Sequence, residues 1–414
     1  MTGSRILAWA ACVLAVSVGC ASRSGPEGDS DSDGDVHAAD SDVVTDDAAS
    51  DAGDTATDDS LDAGDAEPPE FDCGSTEGFS NPAPGIAGHT EIARWKHDRS
   101  AALTINFDDS TPGQATLGVP AMIVRGLTGT WFVNPGTSSY LAHQDRWETD
   151  APAESQELAN HTMDHAGAAD YADAEYQIGE ASRIIVSAYP PSRSPLMGFN
   201  RGGGTTWNVT EEQVQSLLEE FHCIERAHST GIYPATPGET MLTQIGDHLS
   251  SGGWADDWGN VHFHGICDPA DAVNCVCDTP GTSSNCREYG GGVNNGAVSL
   301  AQFETFLDGL ITDSYFVDDV WIAGFISAHK YQAERNGSQV VMIPDTDERI
   351  VLCLSSPLDP ALYDESLTLM TELPGGWISC IANQDGVSTT CRIDGTTAFF
   401  EALPDGGAIV LSQD

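Results

Sequence analysis

A chain of 414 residues has room for two or three domains and a sizeable core, which excludes a peptide hormone or a small module. Sixteen Lys plus Arg stand against 64 Asp plus Glu, a formal charge of −48, the opposite of what a phosphate-binding surface needs, so nucleic acid is not an expected partner. Hydrophobic residues at 40% and charged residues at 19% describe a folded globular protein carrying an acidic appendage.

The first twenty residues read as an export signal: Arg5, then an apolar run from Ile6 to Val16, then Ser17-Val18-Gly19-Cys20. The run is shorter than the roughly 20 apolar residues that span a bilayer. Val18-Gly19-Cys20 resembles the lipobox of bacterial lipoproteins, which makes residues 1–20 a lipoprotein-type signal peptide and Cys20 the lipid anchor. The expected location is the cell envelope, at the outer membrane or cell surface, with the membrane touched through the lipid alone. Ser17 stands where that family usually has Leu, and ordinary cleavage without a lipid is the alternative.

Residues 21–70 come next. Between Glu27 and Glu70 there are 17 Asp plus Glu and no Lys or Arg, among Ala, Gly, Ser and Thr. Such a segment cannot bury a core and is expected to be a disordered, self-repelling linker. The spaced aspartates Asp29 to Asp35 lack the closing bidentate Glu of a calcium loop. Residues 71–414 still carry a formal −33, so an anionic polymer is a poor substrate on steering grounds.

Nine cysteines beyond Cys20 fit an oxidising compartment, and the odd number leaves one thiol free or paired between chains. Cys267, Cys275, Cys277 and Cys286 have no C-x-x-C spacing, which favours disulfides stapling a loop over a structural zinc.

From Ala101 to about Tyr331 short apolar runs alternate with helix-like stretches. The predicted strands are 101–107, 129–133, 157–160, 196–199, 223–225, 261–264 and 320–323. Helices are predicted over 172–188, over 210–221 with a Thr210/Gln213 capping box, and over 300–314. The alternation argues for an α/β fold, a parallel (β/α) barrel over residues 71–336 with its active site at the C-terminal strand ends. After Gly337 short strand-like runs broken by Pro and Gly predict a small β-sandwich over 337–414.

The first strand ends in Asp108-Asp109, adjacent acids that repel unless a cation lies beside them. Asn160-His161-Thr-Met-Asp-His165 places two imidazoles four apart, which on a helical turn share one face. Together the segments supply a carboxylate and two histidines, a facial set that leaves positions open for water and substrate.

Asn106-Phe107-Asp108-Asp109 followed by Asn160-His161-Thr-Met-Asp-His165 resembles the first two motifs of the polysaccharide deacetylases, carbohydrate esterase family 4 with its NodB-homology domain. The resemblance covers roughly residues 95–335. It implies a distorted (β/α)7–8 barrel and a divalent metal, usually zinc, with Co2+, Ni2+ or Mn2+ as alternatives. Carried over, Asp109, His161 and His165 hold the metal and Asp108 is the general base. Val261-His-Phe-His264 looks like the strand that ends in the family's acid histidine, which makes His264 the acid and His262 a supporting residue. Gly198-Phe-Asn-Arg201 resembles the third motif, in which Arg201 orients the base, although the family's following Pro and Tyr are replaced by three glycines. Asp257-Trp258 resembles the fourth motif, with Asp257 supporting the site and Asp256 able to fill the same role. The expectation is a metal-dependent deacetylase removing N- or O-acetyl groups from a polysaccharide or oligosaccharide. A catalytically impaired surface glycan-binding protein on the same scaffold is the alternative, and a hydrolase of a non-sugar amide is the third reading.

Overall fold

The computed structural model describes residues 71–226, 230–231, 238–277, 286–288, 294–345 and 349–413. The export signal, Cys20 and the acidic linker lie outside the described residues.

The run that follows Ser100 is mostly apolar, with β-branched Thr104 and Ile105, aromatic Phe107 and no Gly or Pro. It forms a strand, Ala101–Asp108, buried along its whole length. In chain order, β1 is Thr90–Ile92 and this central strand is β2; then come β3 Thr130–Val133, β4 Glu157–Asn160, β5 Met197–Phe199, β6 Cys223–Glu225, β7 Thr230–Gly231 and β8 Trp258–Phe263. After a small insertion of β9 Ile266–Cys267, β10 Cys275–Cys277, β11 Cys286–Glu288 and β12 Asn294–Ser299, β13 Val320–Ala323 returns to the same sheet. Its hydrogen-bonded order is β6-β5-β4-β3-β2-β8-β7, with β13 beside the first half of β2, and every pairing is parallel. A continuous parallel sheet buries both faces, which is why its strands read as apolar runs.

The result is a parallel half-barrel with helices against it, as the alternation of elements predicts. β8 begins at Trp258, three residues earlier than expected, because it pairs with β2 from Ala102 onward. The core is aromatic. Phe107 stacks on Trp131 at 3.9 Å between ring centroids and meets Phe263 and Phe303 at 5.7 and 5.8 Å. Gly129 passes over Phe107 so closely that a Cβ there would lie 2.9 Å from the ring. The Thr210 capping box forms, the Thr210 hydroxyl accepting from Gln213 N and the Gln213 side chain accepting from Thr210 N, and it starts a helix over Glu211–Glu220.

The later chain forms two antiparallel sheets. One has the order β1-β16-β20-β19, with β16 Leu367–Glu372, β19 Arg392–Asp394 and β20 Thr397–Ala402. The other runs β14-β15-β21-β17-β18, with β14 Gln339–Ile343, β15 Ile350–Ser355, β17 Ile381–Gln384, β18 Val387–Thr390 and β21 Ala408–Ser412. Leu352, Leu354 and Leu411 of the second sheet and Leu367, Leu369 and Phe400 of the first lie in one buried cluster, which also takes in Trp95 and Tyr331. Residues ahead of the barrel therefore belong structurally with the end of the chain: β1 pairs with β16, and Cys73 is disulfide-bonded to Cys353 across 280 residues. A boundary drawn only at residue 337 misses this, because strand pairing joins segments that are remote in sequence.

Cys267 is bonded to Cys275, Cys380 to Cys391, and Cys286 is also disulfide-bonded. The cysteine cluster is thus a disulfide staple, as its spacing suggests. Cys223 is the free thiol among the described residues, and burial pushes it up to about 12, which makes it unreactive at neutral pH.

Candidate functional site

Strand β2 delivers Asp108 at the C-terminal edge of the sheet, where the chain turns sharply. Asp109 and Ser110 have φ of 83° and 50°, in the left-handed region that side chains disfavour. The turn is held by side chains: Asn134 N donates to Ser110 Oγ at 2.7 Å, and the Ser139 hydroxyl donates to the Ser110 carbonyl. Backbone strain at a strand tip, supported by surrounding hydrogen bonds, is characteristic of a functional site.

Asp108 is 4% exposed and is met by a guanidinium, but from Arg226. Arg226 Nη1 donates to Oδ1 at 2.8 Å and Nη2 to Oδ2 at 2.6 Å. Burial by itself would raise the Asp108 carboxyl; the charge of Arg226, helped by His161 and His262, outweighs it and holds Asp108 well below the usual carboxylate range.

Arg201, expected beside Asp108, instead binds Glu211 bidentately and Glu225 at 3.2 Å. The physical reason is strand alternation. Glu225 and Arg226 are consecutive at the end of β6, so their side chains leave on opposite sides. Glu225 takes Arg201, while Arg226 enters the mouth of the half-barrel.

Asp257 is also placed elsewhere. It precedes β8 and pairs with Arg94 at 2.6 Å, and Asp256 pairs with Arg335 at 3.0 Å. Six strand residues, about 20 Å at roughly 3.3 Å each, separate this end of β8 from His264. Neither acid therefore supports the site.

The His161–His165 segment follows β4 as an irregular turn rather than a helical one, with Thr162 and His165 at φ of 71° and 60°. The turn is closed locally: Thr162 N donates to Asn160 Oδ1 at 2.7 Å and His165 N to Thr162 Oγ1 at 3.0 Å. The Asn134 side chain donates to the carbonyls of His161 and Thr162. The two rings come together at 5.0 Å between centroids, the juxtaposition the four-residue spacing suggested, reached by a different backbone path. Gly202, at φ 75°, lies so close to His165 that a Cβ would sit 2.1 Å from its Nε2.

Asp109 Oδ1 lies 3.4 Å from His161 Nε2 and 3.8 Å from His165 Nε2, and one donor atom from each residue falls within 4.8 Å of the others. His161 Nδ1 is 3.0 Å from the Asn200 carbonyl, which only accepts, so the neutral ring carries its proton there and turns the Nε2 lone pair toward Asp109. A carboxylate facing the His161 lone pair is stable only with a proton or cation between them. A carboxylate and two imidazoles suit a divalent cation with open positions.

On the other side of Asp108, β8 pairs with β2 in the register Asn106↔His262 and Phe107↔Phe263, which brings the following His264 to the level of Asp108. Donor atoms of Asp108, His262 and His264 lie within 4.8 Å of one another, and the two rings are 5.2 Å apart. Burial, opposed by the Asp108 charge, lowers His262 to about 4 and keeps it neutral. The buried Gln114 side chain donates to the carbonyls of both Asp108 and His264, tying the two strand ends together.

The site thus gathers Asp108, Asp109, His161, His165, His262 and His264, and it adds Arg226, Gln114, Asn134 and the Asn200 carbonyl. Arg226 was findable, since it directly follows a predicted strand at the catalytic end of the sheet. Gln114 and Asn134 sit in polar loops without a distinguishing pattern.

No family model matches the chain. Among curated proteins it is similar to a gellan lyase from a Bacillus species, 22% identical over 356 residues, which are 79% of this chain and 13% of that protein. The chain therefore spans about an eighth of the length of that relative. A peptidoglycan deacetylase from Bacillus subtilis is similar in structure, at TM-score 0.36 and 14% identity, covering 57% of this chain and 94% of that one. A family 4 carbohydrate esterase from Streptomyces lividans, solved with acetate, aligns at TM-score 0.33 and 15% identity over 56% of this chain and 95% of its own. Many of the solved structures similar to this chain are polysaccharide deacetylases of carbohydrate esterase family 4, the family whose first two motifs its sequence resembles, and a pseudoenzyme of the same family is also among them.

Proposed function

We propose that the protein is a metal-dependent deacetylase that hydrolyses N- or O-acetyl groups of a polysaccharide or oligosaccharide. The observation that carries this reading is the convergence of Asp109, His161 and His165 beside a second carboxylate, Asp108, that faces two further histidines. A divalent cation held by Asp109, His161 and His165, most simply zinc, would supply Lewis-acid polarisation of the acetyl carbonyl and acidify a water.

Asp108 is the group that takes the proton from that water, and Arg226 keeps it ionised and aimed. His264 faces the same space and delivers a proton to the departing amine or alkoxide. His262 lies beside Asp108, and burial lowers it to about 4. Arg201 stays outside this scheme because Glu211 and Glu225 occupy its guanidinium. The protein is read as an exported, glycan-acting protein anchored at Cys20. The two later antiparallel sheets are read as the small β-sandwich, an accessory module.

One observation favours the second reading, an impaired glycan-binding protein: both Asp108 oxygens are engaged by Arg226, which weakens the carboxylate as a base. Acetate release by the full-length protein from acetylated chitin, xylan and peptidoglycan fragments separates the two. The deacetylase reading expects chelator-sensitive release that Asp108→Asn and His264→Ala abolish. Stoichiometric zinc binding with no release from any glycan would establish the binding protein instead.

A further inference from the structure

Between β9 and β12 the chain makes a small disulfide-bonded sheet, order β10-β11-β12-β9, that leaves the barrel just after His264 and rejoins the main path at β12. Its β11 ends in Glu288, a carboxylate only 3% exposed that no step above uses. The Glu288 carboxylate accepts a hydrogen bond from Gly113 N, in the segment that follows Asp108 and Asp109. On its other side it lies against Gly265, where a Cβ would sit 2.6 Å from Glu288 Oε2. Gly113 is itself pressed on this strand end, since a Cβ there would fall 1.6 Å from the Ile266 carbonyl oxygen. A buried carboxylate thus fills the crevice between the turn that bears Asp108 and Asp109 and the strand end that bears His264. Two glycines are needed to let it in.

Burying an acid costs free energy unless it is hydrogen-bonded, and an apolar side chain would fill a purely structural gap at lower cost. We infer that Glu288 is a positioning residue: the disulfide-bonded insertion uses its carboxylate to hold the Asp108–Gly113 turn in register with His264, and so sets the spacing of the proton-taking and proton-giving groups. Gln114 ties the same two segments through backbone carbonyls, and Glu288 adds the contact to the backbone N–H of Gly113. This rests on the proposed deacetylase reading for its consequence in turnover, but the structural coupling itself does not need it.

The test uses the full-length protein with Glu288→Ala, Glu288→Gln and Glu288→Asp. Gln keeps an oxygen for Gly113 N, and Asp withdraws it by one methylene. Amide hydrogen exchange is expected to quicken about tenfold or more at residues 110–118 and 264–267 in the Ala variant, less in Asp and little in Gln, with β15 unchanged. Where the wild type releases acetate, kcat is expected to fall on the order of 100-fold in the Ala variant with KM nearly constant, as for a misplaced catalytic group, and Gln should recover most of it. Unchanged exchange at 110–118 in the Ala variant overturns the inference, as does exchange that quickens uniformly through the chain. If the Ala variant does not fold, equal exchange in Gln and Asp overturns it. A wild type that releases no acetate from any glycan defeats the deacetylase reading while leaving the exchange experiment intact.

Discussion

Arg226 reaches Asp108 from the C-terminal end of β6, at the far edge of the sheet order from β2, and grips both carboxylate oxygens, at 2.8 and 2.6 Å, with both partners almost wholly buried. A pair in this position fixes the orientation of the carboxylate and holds it ionised. The arginine that comes next to the glycine loop, Arg201, is held at the rim by two glutamates.

The two arginines should therefore behave differently. Arg226→Ala leaves the Asp108 charge buried and unpaired and should cost about 3–5 kcal/mol of stability, together with loss of acetate release. Arg201→Ala breaks pairs with partly exposed glutamates and should cost no more than about 1 kcal/mol. Denaturant unfolding of both variants, run beside the acetate assay, compares them directly. Equal losses would show that Arg201 shares the work.

Gly202 and Gly203 make a second contrast. At Gly202 a methyl group meets His165 Nε2 at 2.1 Å and the backbone φ is already 75°, whereas at Gly203 nothing lies within 4 Å. Gly202→Ala should displace the His165 ring and weaken zinc binding about 10- to 100-fold, and Gly203→Ala should leave it unchanged. Zinc titration with a competing chelator measures both. Wild-type affinity in Gly202→Ala would remove His165 from the ligand set.

Glu334 gives the pH dependence its direction. It is 1% exposed and accepts from Glu365 N; burial first, then the charges of Glu365 and Asp364, push its carboxyl from 4.5 up to about 7. A carboxyl that holds its proton to a higher pH when folded contributes stability that is complete below the unfolded value of 4.5 and is lost as pH rises through about 7. Glu334→Gln, which cannot ionise, should lose less Tm between about pH 5 and pH 8 than the wild type. Parallel Tm curves for the two proteins would contradict this assignment.

Cys73 and Cys353 close a loop of 280 residues and fasten the segment before the barrel to β15. In the chain-entropy account long loops gain most from closure, so the Cys73→Ser/Cys353→Ser double variant should lose about 3–5 kcal/mol. Chemical denaturation of the double variant reads this, with zinc affinity expected to be unchanged because the bond lies in the later sheets. A fall in zinc affinity would mean that the clasp reaches the site.

Much was legible because the relevant signals are local. Asn106-Phe-Asp-Asp109 and His161-x-x-x-His165 mark the carboxylate and two imidazoles that the structure brings together, and the apolar run 101–107 marks the strand that carries the first of them. The capping box at Thr210 and Gln213 is complete within four residues and forms as written. His262 and His264 face Asp108 together because residues two apart on a strand share a side. The backbone path of His161–His165 was not legible, since Thr162 and His165 adopt left-handed φ only because Asn134 and Asn160 hold the turn from outside and within.

What the chain alone determined was the set of chemistry-bearing residue types, seven of the strands in the parallel sheet, and cysteines suited to an oxidising setting. Tertiary structure decided which arginine serves Asp108, that Asp257 lies at the wrong end of β8, and that Thr90–Ile92 pairs with a strand nearly 280 residues later. The division follows from physics. Hydrophobic period, capping and ligand spacing act over a few residues and are written in sequence, whereas a buried ion pair or a strand pairing depends on which segments the fold brings within a few ångströms.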